Sequence, residues 1–358
     1  MSFLDKLNPE QREAVLHRDG PLLILAGAGS GKTRVICYRL AYLIGDGHAD
    51  PDQVLAVTFT NKAAEEMRSR VEKLLETEYP RLWILTFHAF CARLLRREAP
   101  RIGLSRDFVI YDSVDQLNVV RQAMRDLNVD DKIMPPRALL SQISHAKNQM
   151  KSAADIREKG HGFSDEQLAR VYERYVTVLS TSSAVDFDDL LLKTVTLFES
   201  SPETRDKYAD RFRYVMIDEY QDTNRPQYLL IRYLTARHRN LCVVGDPDQS
   251  IYKWRGADLQ NILDFEEDYP ETVVVRLERN YRSTQVILDA ASGVIGRNRK
   301  RKAKNLYAER KGGDPIICHR ANDELEEADF IVGQLRGGFS EDIDKAAVLY
   351  RTNAQSRA

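Results

Sequence analysis

The chain has 358 residues, 43% of them hydrophobic and 30% charged, with a formal net charge of −1. That balance leaves ample core for two to three soluble domains. The apolar run at 22–26 is far too short to span a bilayer, and four cysteines without Cys-x-x-Cys spacing argue against zinc and disulfides. Near-neutral charge gives no global signature of nucleic-acid binding, so any phosphate contact has to be local. The N-terminus mixes acidic and basic residues without a leader-like apolar region, which predicts a cytoplasmic protein with no membrane partner.

In chain order, short apolar runs alternate with helical patterns. Residues 22–25 predict a strand ending in a glycine loop, and 32–44 the helix after it. Residues 54–59 and 83–86 predict two further strands, with a helix over 63–75. Between 91 and 183 strand-like runs become scarce, and charged helical stretches at 117–127, 138–149 and 165–179 predict a helical insertion. Residues 214–217 and 241–244 predict two more strands around a helix over 228–234. From 273 onward alternation begins again: strands at 273–277, 315–318 and 347–350, helices at 285–295 and 324–335, and a helix starting near 353. This is an α/β chain, a parallel sheet with helices on both faces, whose polar loops fall at the carboxyl ends of strands. The strand at 273–277 is expected to open a second α/β unit.

The glycine loop reads Ala26-Gly27-Ala28-Gly29-Ser30-Gly31-Lys32-Thr33. Its glycines let backbone N–H groups approach phosphate oxygens, and the helix N-terminus adds favourable potential. Lys32 supplies charge to the outer phosphates, and Thr33 can ligate Mg²⁺. Ala26 stands where the usual pattern has its first glycine. Asp218 and Glu219 follow an apolar strand, where one carboxylate can hold Mg²⁺ and the other polarise a water.

Gln249, past the 241–244 strand, can bridge a terminal phosphate and moving parts, although in isolation a turn glutamine is the simpler reading. Tyr252 and Trp254 interleave with Lys253 and Arg255, a pattern suited to stacked bases and phosphates; core aromatics at a strand edge fit the composition about as well. Phe59-Thr60-Asn61-Lys62 and Thr86-Phe87-His88 put aromatic and polar groups at strand ends, where helix caps explain them equally. Arg279-Asn280-Tyr281-Arg282 can reach across a cleft. Residues 297–304 carry six cations among eight, which can touch nucleic-acid backbone but read more simply as a solvated mobile loop.

Taken in order, these residues resemble the UvrD/Rep/PcrA family of superfamily 1 DNA helicases. The segment Leu7-Asn8-Pro9-Glu10-Gln11 is similar to its adenine-reading segment. Residues 26–33 resemble motif I, the initial alanine included, 58–64 motif Ia and 86–90 motif Ib. Asp186-Phe187-Asp188-Asp189-Leu190 matches the return from the insertion. Residues 218–224, 245–257 and 280–283 are similar to motifs II, III and IV.

The resemblance implies a RecA-like P-loop NTPase sheet, its first domain in two parts (1–107 and 187–275) split by a helical insertion domain (108–186), then the start of a second RecA-like domain (276–358). It implies ATP and Mg²⁺ as cofactors. Gln11 would read adenine and Tyr281 stack on it. The loop from Ala26 to Gly31 with Lys32, Thr33 and Arg34 would hold phosphates, with Thr33 and Asp218 on the metal. Glu219 would be the general base, and Gln249 and Arg282 would contact the γ-phosphate. Phe59, Asn61, His88, Phe187, Tyr252, Trp254 and Arg255 would line a single-strand track leading to duplex junctions, travelled 3′ to 5′. Motifs V and VI of the family are not present, which predicts a fragment: either an ATP-driven motor, or an ATP- and DNA-binding piece without productive turnover.

Overall fold

The computed structural model of the chain describes residues 2–160, 162–298, 301–338 and 343–357. The chain divides into two units, Met1–Lys311 and Gly312–Ala358. A 3₁₀ turn at Ser2–Lys6 leads into α1 (Pro9–Leu16), β1 (Leu22–Ala26), α2 (Lys32–Gly45), β2 (Val54–Thr58), α3 (Asn61–Leu75), β3 (Trp83–Thr86) and α4 (Phe87–Glu98). The next stretch holds β4 (Val109–Ile110), α5 (Ser113–Asp126), α6 (Pro136–Asn148), α7 (Ala153–Lys159), α8 (Phe163–Thr181) and β5 (Ala184–Val185). There follow α9 (Phe187–Ser200), α10 (Pro202–Arg211), β6 (Tyr214–Ile217), α11 (Arg225–Thr235), β7 (Leu241–Gly245), α12 (Gln260–Leu263), α13 (Phe265–Asp268) and β8 (Val273–Leu277). The first unit closes with β9 (Arg279–Thr284), α14 (Gln285–Ile295) and β10 (Tyr307–Arg310).

Six strands form one sheet in the order β3-β2-β6-β7-β1-β8, and every pairing in it is parallel. Side chains alternate across a strand, so each inner strand feeds two cores. Leu23 and Leu25 of β1, Val215 and Ile217 of β6, and Leu241 and Val243 of β7 pack with α4, α9, α10 and α11 on one face. Leu22, Ile24, Tyr214, Met216, Cys242 and Val244 pack with α1, α2 and α3 on the other. Strands buried on both faces read as continuous apolar runs, which is why the sequence shows them as such.

The strand at Val273–Leu277 corrects an expectation. It does not open a second unit. It pairs along its whole length with β1, Leu22 opposite Val273 through Ala26 opposite Leu277, as the edge of the first sheet. The expected strands at 315–318 and 347–350 are also not formed. Neither run finds a ladder partner, and an apolar run without one has no reason to stay in a sheet. The second unit, by itself, holds α15 (Glu324–Gly338) and short 3₁₀ turns at Ile343–Lys345 and Asn353–Arg357.

The helical stretch between β4 and β5 has its own core, built from Val120 and Ala123 of α5, Leu139 and Ile143 of α6 and Val171 and Tyr175 of α8. The chain enters and leaves it side by side, Val109 opposite Ala184 and Ile110 opposite Val185. Among the described residues no helix is long and apolar enough to cross a membrane.

Candidate active site and adjoining groove

The strand-to-helix turn after β1 is built for close approach. Gly29 and Gly31 have φ of +69° and +93°, in the left-handed region that side chains disfavour. A Cβ on Gly29 would lie 2.6 Å from the Arg282 Cβ, and one on Gly31 2.9 Å from the Gln11 amide nitrogen. Gly31 caps α2 with no side chain to satisfy the first N–H groups of the helix, so these stay available to an anion.

Lys32, 10% exposed, reaches back from α2. Its Nζ lies 3.2 Å from Glu219 Oε2 and 3.5 Å from Gln249 Oε1. The loops after β1, β6 and β7 thereby converge on one ammonium. Asp218 is buried at the end of β6 and accepts a hydrogen bond from the Thr33 side chain. Burial, and then the Glu219 carboxylate beside it, push its pKa up to about 7. Such a carboxylate lacks a full counter-charge.

Glu219 itself sits at φ 49°, an unfavourable backbone for a residue with a side chain. Its Oε2 also accepts from Gln221 Nε2 at 2.9 Å, while Gln221 Oε1 accepts the Asp246 N–H at 2.9 Å. Gln221 thus ties the loop after β6 to the loop after β7. It lies within the 218–224 segment without a motif role of its own, and the signal that finds it is its burial between two strand ends.

Around the mouth, Asn280 Nδ2 donates to the Ala28 carbonyl at 2.5 Å, and the Tyr281 N–H donates to the Gly29 carbonyl at 2.9 Å. These two bonds bring Tyr281 and Arg282 to the loop. Asn280 is a second residue that motif reading passed over. Gln11 is buried, and its carboxamide is committed at both ends: Nε2 donates to the Ser30 carbonyl and Oε1 accepts the Asn8 N–H in a capping box. Asn8 Nδ2 donates to the Tyr281 hydroxyl at 2.9 Å. Arg34 turns elsewhere. Its guanidinium donates to the Lys6 carbonyl at 2.6 Å and lies over the Tyr38 ring, holding the N-terminal turn.

Beside this site runs a groove with a cavity of about 420 Å³, lined by Phe59, His88, Phe187, Asn224, Tyr252 and Trp254 among others. A second hollow of about 350 Å³ shares Phe59, His88 and Phe187 and adds Asn61. Trp254 is 71% exposed, and Phe187 and Tyr252 also present their rings. His88 meets the Phe187 ring edge-on at 5.8 Å, and burial lowers its pKa, so it enters the groove neutral. Asp188 and Asp222, also lining the cavity, are raised to about 6 by burial. The Arg255 side chain lies outside the described residues.

The strand-end threonines are helix caps, as that simpler reading expects. Thr60 and Thr86 cap α3 and α4, and their neighbours Phe59 and His88 face the groove. The insertion supplies a wall that sequence reading missed, Ser144, His145 and Asn148 from α6. Asn148 ties this wall to the rest of the groove, accepting from Asn224 Nδ2 at 2.5 Å and donating to Asp188 Oδ1 at 3.1 Å.

Residues 7–270 match the UvrD/REP helicase N-terminal domain, and residues 275–358 match the UvrD-like helicase C-terminal domain. The ATP-dependent DNA helicases PcrA of Staphylococcus epidermidis and Staphylococcus aureus are each 48% identical over 360 residues, covering 99% of this chain and 49% of the relative. The chain spans about half the length of the curated relatives it matches. With the family match running through the phosphate loop, both carboxylates and the groove, the chain belongs to the UvrD/REP helicase family.

Proposed function

We propose that this chain acts as an ATP-dependent DNA helicase, coupling ATP hydrolysis to 3′-to-5′ movement on single-stranded DNA and to strand separation at duplex junctions, in DNA repair or replication. One observation carries the reading. The loops after β6 and β7 each hold a residue at Lys32 and, a few positions on, a residue in the aromatic groove: Glu219 then Asp222 and Asn224, Gln249 then Tyr252 and Trp254. Chemistry at one end of either loop is felt at the other. In this reading 1–107 and 187–275, extended to Leu277 by the pairing of β8, form the first RecA-like lobe. Residues 108–186 are its inserted domain, and the second lobe, expected from 276, begins at 278.

The glycine loop and the α2 N-terminus would cradle the phosphates, with Lys32 on the outer ones and Arg282 closing from β9. Glu219 would take the proton of the attacking water, and Gln249 would sense the terminal phosphate. Tyr281 would stack on adenine, and Gln11 would read its edge by exchanging one of its present bonds. Arg34 would act through the N-terminal turn.

Thr33 and Asp218 suit Mg²⁺, which takes one or two protein oxygens and completes its shell from phosphate and water. The under-compensated Asp218 carboxyl supports that fit. When bound, the ion would neutralise charge on the phosphates. It must displace the Asp218 proton, so Mg²⁺–nucleotide affinity is expected to fall by up to about tenfold per pH unit below pH 7 and to level off above it. Calorimetric titration across pH checks this, and a flat profile in the wild type would remove Asp218 from the metal site.

The functional test is steady-state ATP hydrolysis with and without single-stranded DNA. Stimulation by DNA is expected; a chain that binds neither ATP nor DNA would overturn the reading. Trp254→Ala is expected to weaken single-strand binding roughly 5- to 150-fold, the range for loss of one stacked base, with ATP affinity unchanged. Fluorescence anisotropy of a labelled oligonucleotide measures it, and wild-type DNA affinity in this variant would empty the groove of its role.

A further inference from the structure

The cation run at 297–304 is the one sequence signal the proposed mechanism leaves unused. Arg299 and Lys300 lie outside the described residues. Arg297 is exposed, but Arg301, Lys302 and Lys304 do not form the solvated loop that the sequence suggests. Arg301 pairs with Asp248 at 3.0 Å, Lys302 with Glu266, and Lys304 with both Asp246 and Asp248, the latter at 3.0 Å. The side chains of Lys304, Asp246 and Asp248 are only 6%, 3% and 9% exposed. Two residues on, Leu306 is seated against the phosphate loop, where a Cβ on Gly27 would come within 2.4 Å of it.

Asp246 has two neighbours that matter. One carboxylate oxygen receives Lys304 and the Asp248 N–H; the other accepts from Gln249 Nε2. The far end of that carboxamide, Gln249 Oε1, faces Lys32 Nζ at 3.5 Å. Charges therefore alternate along a line: Lys304, Asp246, the Gln249 amide, Lys32. A carboxamide between a carboxylate and an ammonium has one stable sense, NH₂ toward the former and oxygen toward the latter. Without Lys304, Asp246 is a buried carboxylate short of a counter-charge, and it would turn toward water. That turn removes the acceptor that orients Gln249. The neighbouring Arg301 is paired with Asp248 and not with Asp246.

We propose that Lys304 is a positioning residue that sets the orientation of Gln249 through Asp246, so that residues 301–306 control how the site reads the terminal phosphate. This rests on the ATP-site reading above. It predicts a loss confined to nucleotides that carry a γ-phosphate.

The test is calorimetric binding of Mg²⁺–ADP and of the Mg²⁺ complex of the β,γ-imido analogue of ATP to the full chain. Lys304→Met is expected to lose about tenfold in affinity for the triphosphate analogue, the worth of one charge-assisted contact, with ADP affinity unchanged. Lys304→Arg is expected to restore most of the loss. Gln249→Ala should show the same selective loss, and adding Lys304→Met to it should cost nothing further, because the two act in series. Equal loss for both nucleotides, no loss, or additive losses would overturn the proposal and leave the ATP site standing. A wild-type chain that binds neither nucleotide would instead overturn the ATP site itself, and this inference with it.

Discussion

Glu219→Gln is expected to leave Mg²⁺–ATP binding within about twofold of wild type and to cut turnover by roughly 10³-fold, within the range for loss of a general base. The substitution keeps shape and one acceptor oxygen, so the Gln221 contact at 2.9 Å can persist and the strained backbone at φ 49° is not disturbed. What goes is basicity. A further effect follows from the neighbour: the Glu219 charge helps to hold the Asp218 pKa up near 7, and removing it lets Asp218 ionise more readily. Metal binding at neutral pH should therefore tighten slightly while hydrolysis fails. Single-turnover hydrolysis beside equilibrium ATP binding separates the two. Loss of binding in proportion to turnover would mean that Glu219 holds the nucleotide and does not act on the water.

The largest expected effect on stability lies away from the nucleotide. Lys147 of α6 is buried, with its Nζ 2.6 Å from Asp186 and 2.7 Å from Asp189, and Asp186 also accepts the Tyr175 hydroxyl at 2.9 Å. The two carboxylates hold the Lys147 pKa above its ordinary value despite burial. This cluster ties the inserted helices to the start of α9. Lys147→Met would strand two buried carboxylates and is expected to destabilise the fold by about 3–5 kcal/mol. Adding Asp186→Asn and Asp189→Asn should recover most of that, since Asn still caps the helix. Urea denaturation of the three proteins decides it. A single variant within about 1 kcal/mol of wild type would show that the cluster is not a structural tie.

The phosphate loop was legible because its causes are local. Glycine, a preceding apolar strand and a following helix are all within a dozen residues. The inner strands were legible because burial on both faces leaves an unbroken apolar run. Partner choice was not legible. Val273-Val274-Val275 reads the same whether it opens a new sheet or closes an old one, and only its pairing with β1, some 250 residues earlier in the chain, decides which. Lys147 looked like one more charge on a charged helix, because Asp186 arrives from 39 positions away. Gln221 lies within the 218–224 segment, but its role depends on a backbone N–H from another loop. The cation run at 297–304 looked solvated because its partners Asp246, Asp248 and Glu266 are remote in sequence.

The placement of β8 has a mechanical consequence. β8 is locked to the strand that carries the phosphate loop, and β9 begins only one residue after it ends. The first point at which the following chain can swing relative to the sheet is thus Glu278. Asn280 and Tyr281 are fastened to Ala28 and Gly29 just beyond that point, and Arg301, Lys302 and Lys304 bind back to Asp248, Glu266 and Asp246. The span from β9 to β10 is thus a strap buckled at both ends across the strand ends of the sheet, and loosening either buckle would free the other.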